Sequence, residues 1–180
     1  YNIANEIKKR RLYERLEFEA GHDTLSGLLN RSSFVRYQNG VQRKFGESCG
    51  MITADINGLK QLNQDYGHSR GDETIITVTE VMRSCFPDGE IFRLSGDEFV
   101  IIAMNQEYEG FMKHVREMGL ELDSQTPNGV SLGATWVEHL TDFDMLLHHA
   151  EELMLVNKQI YYKNSDDVRK HYSPERMKLL

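Results

Sequence analysis

Apolar residues along this chain follow two rhythms. Cys49 to Ile56, Phe99 to Met104 and Val130 to Val137 are short, dense apolar runs bounded by turn residues, and each predicts a strand. Elsewhere the apolar positions recur every three or four residues. Phe34, Tyr37 and Val41 predict a helix over Ser32 to Phe45, and Phe111, Val115, Met118 and Leu122 predict one over Tyr108 to Leu122. A helix over Glu73 to Cys85 turns Ile75, Ile76, Val78 and Val81 or Met82 inward, and Asp142 to Tyr162 is the last long helix. Leu59 to Tyr66 is a short helix between Asn57-Gly58 and a turn from Gly67 to Asp72. Glu90 to Leu94 pairs with Phe99 to Met104 as a hairpin, set off by Pro87-Asp88-Gly89. Asp23 to Gly27 and Pro127-Asn128-Gly129 read as further turns.

The two ends differ from this body. Residues 2–19 are rich in Glu, Lys and Arg, with Ile3, Ile7, Leu12 and Leu16 as a thin apolar stripe, and Gly21 ends the helix. Such a helix either pairs with a partner or stands solvated. The expected organisation is a linker or signalling helix over 1–20, a domain over 21–164, and a polar tail over 165–180. A hairpin inside an otherwise alternating pattern disfavours a doubly wound parallel sheet. It favours an α+β fold, an antiparallel-rich sheet with helices packed on it.

Composition narrows the function. A length of 180 residues suffices for one well-buried domain. The net charge of −7, from 21 basic and 28 acidic residues, argues against a surface built to grip long nucleic acid. It leaves room for a single nucleotide, because a bound cation can supply local positive charge. Cys49 and Cys85 lack metal or redox spacing, so buried free thiols in a reducing compartment are expected. No apolar stretch is long enough to cross a bilayer, so no membrane contact is expected of this stretch of chain. Because the chain starts at Tyr1, a fragment with an upstream domain is expected, and with it a full-length protein in the cytoplasm or attached to a membrane through the missing region.

The chemistry concentrates in Arg93-Leu94-Ser95-Gly96-Asp97-Glu98-Phe99. Asp97 and Glu98 stand at a hairpin tip, and adjacent carboxylates are costly to hold without a cation between them. Asp55, at the end of the first strand, is the matching half of a metal site if the two strands are neighbours. A helix-capping role for Asp55 competes, but Asn57 already offers that cap.

Five stretches in one order resemble the GGDEF family, the diguanylate cyclase domains of bacteria. They are Asp23-Thr24-Leu25-Ser26-Gly27-Leu28-Leu29-Asn30-Arg31, Asp55-Ile56-Asn57-Gly58-Leu59-Lys60-Gln61-Leu62-Asn63, Tyr66-Gly67-His68-Ser69-Arg70-Gly71-Asp72, Ser95-Gly96-Asp97-Glu98-Phe99, and Ser131-Leu132-Gly133 with Lys158. The resemblance covers about residues 22–164. It implies the palm-like (ferredoxin-like) fold of nucleotidyl cyclases and polymerases. It also implies condensation of two GTP into cyclic di-GMP plus pyrophosphate, by two copies facing each other, under an upstream sensor domain.

By resemblance, Asp55, the carbonyl of Ile56, Asp97 and Glu98 hold Mg2+ (or Mn2+). Asp97, Glu98 and Lys60 are the catalytic group, with Asp97 also accepting a proton and Lys60 meeting phosphate charge. Asn63 and Asp72 read the guanine edge, whose N–H donors a carboxylate accepts. His68, Ser95, Gly96 and Lys158 contact the nucleotide. Three departures stand out. Ser95 replaces the family's first glycine, Tyr162 stands where an arginine is common, and Leu155 replaces a tyrosine. The family's inhibitory Arg-x-x-Asp motif is Phe86 and Gly89 here, so no product inhibition through that turn is expected. The competing expectation is a non-catalytic domain that binds GTP or a protein partner and regulates a neighbour.

Overall fold

The computed structural model describes residues 3–165. Helix α1 (Ile3–Gly21) leads into a two-residue strand, β1 (Leu29–Asn30), and helix α2 (Arg31–Gly40). The core follows as β2 (Cys49–Ile56), α3 (Leu59–Tyr66), α4 (His68–Cys85), β3 (Glu90–Arg93), β4 (Glu98–Met104), α5 (Tyr108–Gln125), β5 (Val130–Val137) and α6 (Phe143–Ser165). Beyond Ser165, the tail expected over 165–180 lies outside the described residues.

The five strands form one sheet in the order β1-β3-β4-β2-β5. All pairs are antiparallel except β1 with β3. Every residue of β2 is buried, as a central strand covered on both faces must be. Ile52, Ala54 and Ile56 face a core built with Phe99 and Ile101 of β4 and with Val78, Met82, Phe111, Val115 and Met118 of α4 and α5. Cys49 and Met51 face the other core, where Phe34 of α2 and Phe143, Leu146 and Ala150 of α6 cover Phe92 and Val100. The expected α+β architecture is the observed one.

Local corrections have physical causes. The stretch Gly67 to Asp72, expected as a turn, is helical from His68 onward, because only Gly67 takes a left-handed angle (φ 85°). The helix expected over Ser32 to Phe45 stops as an α-helix at Gly40 and tightens into a 3₁₀ turn, Val41–Lys44, before Gly46 at φ 92°. Ile76 points outward at 40 % exposure, its inward place on α4 taken by Thr74 and Thr79. Asn57 does not cap α3. It is buried, donates to the Asn128 carbonyl and accepts a 2.6 Å bond from Ser131 Oγ. Cys49 is buried, and burial pushes its thiol up to about 12, while Cys85 is only half-buried.

Candidate functional site

β2 and β4 are neighbours, and their register sets Asp55 opposite Glu98. The turn between β3 and β4 adds a bond from the Ile56 N–H to the Asp97 carbonyl at 3.0 Å. Asp55 and Asp97 therefore meet at one sheet edge although 42 positions apart in the chain. Asp55 is almost fully enclosed, Asp97 half-buried and Glu98 exposed.

Asp55 divides its two oxygens. Oδ2 accepts a 2.8 Å bond from Lys158 Nζ, reaching in from α6. Oδ1 is buried with no hydrogen-bond partner. Burial lifts the Asp55 carboxyl above its ordinary range. The Lys158 bond and charge oppose that rise, and the charges of Asp97 and Glu98 add to it. Lys158 is itself pushed up. Burial would lower it, but the Asp55 bond and the negative charge of Asp55 and Asp97 prevail. Even with its lysine in place, the site holds more negative charge than positive.

Among the described residues no three His, Cys, Asp or Glu side chains cluster closely enough to hold a metal alone. Asp55, Asp97 and Glu98 do not close into such a trio, and Glu98 accepts a 3.0 Å bond from Ser95 Oγ. A site short of protein ligands suits magnesium, which keeps waters and takes phosphate oxygens. The unpartnered Oδ1 of Asp55 is the atom that fits such an ion.

A cleft of about 480 Å³ opens beside this edge, lined by Lys60, Asn63, His68, Gly96 and Asp97 among others. Helix α3 starts there from Gly58, at φ 63°, without a side-chain cap, so its first amides are free to face an anion. Gly96 needs neither a positive φ nor room against the protein, since nothing lies within 4 Å of where its Cβ would stand. Its bare backbone faces open space. Asn63 Oδ1 is buried and unpartnered. Asp72 follows His68 by four residues on α4, which sets both on one helix face, exposed. Asp72 is not among the cleft-lining residues. Ser95 occupies its turn without a left-handed backbone angle, so the replaced glycine carries no strain.

The signature turn is fixed from below by residues whose roles the sequence did not reveal. Arg93 Nη2 and Nε donate to the Gly96 carbonyl at 2.8 and 3.3 Å, and Nη1 donates to Asp23 Oδ2 at 2.8 Å. That oxygen also accepts from the Ser26 N–H and Oγ. Burial alone would raise the Asp23 carboxyl, but the Ser26 bonds and the Arg93 guanidinium outweigh it and hold the group below its usual range. The hint in sequence was only an arginine two residues before Ser95. Nothing local tied it to an aspartate 70 positions upstream.

Comparison with known proteins gives a consistent picture. The sequence model of the family "Diguanylate cyclase, GGDEF domain" matches residues 20–163. The diguanylate cyclase DgcM of Escherichia coli K12 is 34% identical over 99 residues, 53% of this chain and 24% of that protein. An uncharacterized membrane protein of Staphylococcus aureus USA300 is 32% identical over 146 residues, 74% of this chain and 40% of that protein. This chain thus spans well under half the length of either relative. The coiled coil and GGDEF domain of DgcB from Caulobacter crescentus, solved with c-di-GMP, shares the fold at a TM-score of 0.75 and 21% identity, covering 87% of this chain and 90% of that one. The GGDEF domain of FimX from Pseudomonas aeruginosa does so at 0.70 and 17%, covering 77% and 94%.

Proposed function

Because this chain belongs to the GGDEF family, we propose that it is a diguanylate cyclase domain. It holds one GTP in the cleft beside Asp97 and, facing a second copy, joins two GTP into cyclic di-GMP with release of pyrophosphate. The observation that carries the reading is the enclosed, unpartnered Oδ1 of Asp55 at the same edge as Asp97 and the open cleft.

The residues divide the work. The free amides at the start of α3 and the bare backbone of Gly96, with Ser95 beside it, receive the triphosphate. Lys60, exposed on the cleft rim, and Lys158 meet phosphate charge as it builds. Asn63, with an oxygen lacking a partner, and Asp72 read the guanine edge, with His68 on the same face as Asp72. Asp55 Oδ1, the Ile56 carbonyl and the Asp97 and Glu98 carboxylates would hold magnesium or manganese. That ion supplies Lewis-acid stabilisation of phosphate charge and eases loss of the 3′-hydroxyl proton. Asp97, half-buried at the cleft, accepts that proton. Each copy presents one half-site, and a symmetric product suits a symmetric pair.

The domain is read as the output of a longer cytoplasmic signalling protein. Residues 21–164 are the catalytic unit, and 1–20 carry the signal from a sensor upstream. Support comes from α1, whose Ile3, Ile7, Leu12 and Leu16 are all about half exposed or more and offer a stripe to a partner helix. No described helix is long and apolar enough to cross a membrane.

Tyr162 in place of the family's arginine favours a second reading, a regulatory domain that binds GTP without converting it. The deciding experiment measures GTP turnover with magnesium on a form fused to a dimerising segment. Cyclic di-GMP is expected. GTP bound without product supports the regulatory reading instead.

A further inference from the structure

Lys158 and the expected divalent ion claim the same side chain. Asp55 stands on the central strand, its side chain 4 % exposed and fixed by sheet and helix on either side. Its Oδ2 is taken by the Lys158 ammonium at 2.8 Å, and its Oδ1 is the enclosed atom left for a metal. A carboxylate's two oxygens lie about 2.2 Å apart, so an ion on one and an ammonium on the other would stand within a few ångströms. Cations that close repel strongly where water is scarce. One of them must yield, and Asp55 cannot move to relieve the clash.

Lys158 can move. Its side chain is 29 % exposed, on a flexible four-carbon stem near the end of α6. What it needs is another anion to meet. A triphosphate in the cleft would provide one at the moment a metal arrives with it.

We propose that Lys158 is a built-in stand-in cation: it occupies Asp55 in the nucleotide-free protein, opposes loading of metal alone, and gives the carboxylate up when metal and nucleotide enter together. The inference rests on the reading of the cleft as a nucleotide–metal site. Its consequence is coupling. The metal binds weakly by itself and tightly with nucleotide, and by linkage the nucleotide gains as much from the metal. The arrangement also holds the carboxylate oriented before substrate arrives, so the site does not have to reorganise around its ligand.

The test uses Mn2+ and 3′-deoxy-GTP, which lacks the attacking hydroxyl. Free Mn2+ is followed by its electron paramagnetic resonance signal. For the wild type, Mn2+ alone is expected to bind weakly and to tighten when 3′-deoxy-GTP is added. For Lys158→Met, nucleotide-free Mn2+ affinity should tighten by at least about tenfold. Lys158→Arg, which keeps the charge, should resemble the wild type. Unchanged or weaker Mn2+ binding by a folded Lys158→Met variant overturns the inference.

A second measurement needs no variant. The Lys158 Nζ resonance in 15N-labelled wild type should shift only when Mg2+ and 3′-deoxy-GTP are both present. A resonance indifferent to saturation by both, with binding verified by calorimetry, overturns the stand-in role and leaves the nucleotide site standing. Absence of any Mn2+ or nucleotide binding overturns both readings together.

Discussion

In the proposed metal site Asp55 carries opposed demands: it must stay charged to attract a cation, yet the packing that orients it strips away its water. Lys158 resolves the conflict in part, and the neighbouring Asp97 and Glu98 renew it. Asp97→Ala is therefore expected to relieve crowding rather than unfold the chain, because Asp97 joins β2 through its backbone carbonyl, which alanine keeps. Turnover should fall by about a thousandfold or more, with the circular dichroism spectrum unchanged. Activity near wild type in that variant would refute its assigned role. The pair Asp23–Arg93 makes the complementary case, a structural ion pair whose purpose is position. Replacing Arg93 by Ala frees the Gly96 carbonyl and leaves Asp23 half-satisfied, at about 1–3 kcal/mol in denaturant unfolding. Its pH dependence has a definite sign. The folded-state value of Asp23 is depressed, so its contribution is present in full above the ordinary 3.8 and is lost as pH falls through the lower folded value. Asp23→Asn should flatten that acid limb of the stability curve. An unaltered limb in the variant would show that other carboxylates set it.

The strands and long helices of this fold were legible from periodicity, because β2, β4 and β5 are buried runs and α5 keeps its apolar face at regular spacing. What escaped was set by contacts distant in sequence. β1 is two residues long and is defined by pairing, parallel to β3 and bridged to His22, so no period could announce it. The start of α4 was hidden because Gly67, Gly71 and a run of polar residues imitate a turn. Gly71 is glycine for another reason: a Cβ there would meet the Asn63 side chain. Gly71 thus lets α4 close on α3, and it sets the amide that is proposed to read guanine. The convergence of Asp55 with Asp97 followed from motif order, whereas the Lys158 contact required α6 to cross β2 at one height, which sequence does not state. Gly133 sets that height. A Cβ on it would collide with the Ala150 carbonyl and the Met154 N–H, both backbone of α6. Backbone cannot step aside as a rotamer can, so Gly133→Ala should cost about 1–3 kcal/mol and lift α6 from the sheet. The specific mark is functional. Lys158 would be drawn off Asp55, so the variant's stability loss should come with altered Mn2+ binding. A stable Gly133→Ala protein with wild-type metal affinity would show that α6 is not held at that glycine.

At the scale of the whole molecule, the proposed reaction leaves one domain with only half of a reaction centre, since a symmetric product needs two GTP brought face to face. Net charge of −7 opposes the approach of two copies at low salt, and the described chain offers α1 as its main exposed apolar stripe for countering that repulsion. Turnover by the isolated chain should accordingly rise with the square of protein concentration, and rise further as salt screens the charges. Fusion to a dimerising segment should make turnover per chain independent of concentration. Feedback is a separate matter. Phe86 is 1 % exposed and packs its ring near Phe111 and His114, so this position points into the core rather than toward a ligand. Gly89 packs against Phe86 and Ile101 and brings no side chain at all. With no guanidinium at position 86 and no carboxylate at position 89, that turn lacks both groups of the family's inhibitory motif. Progress curves of the fused form should stay linear until GTP is depleted, apart from competition by product at the cleft itself. Strong product inhibition that vanishes on mutating the Phe86–Gly89 turn would contradict this, and would mean that backbone and neighbouring side chains such as Arg83 and His22, which line the adjacent hollow, had rebuilt the site by other means.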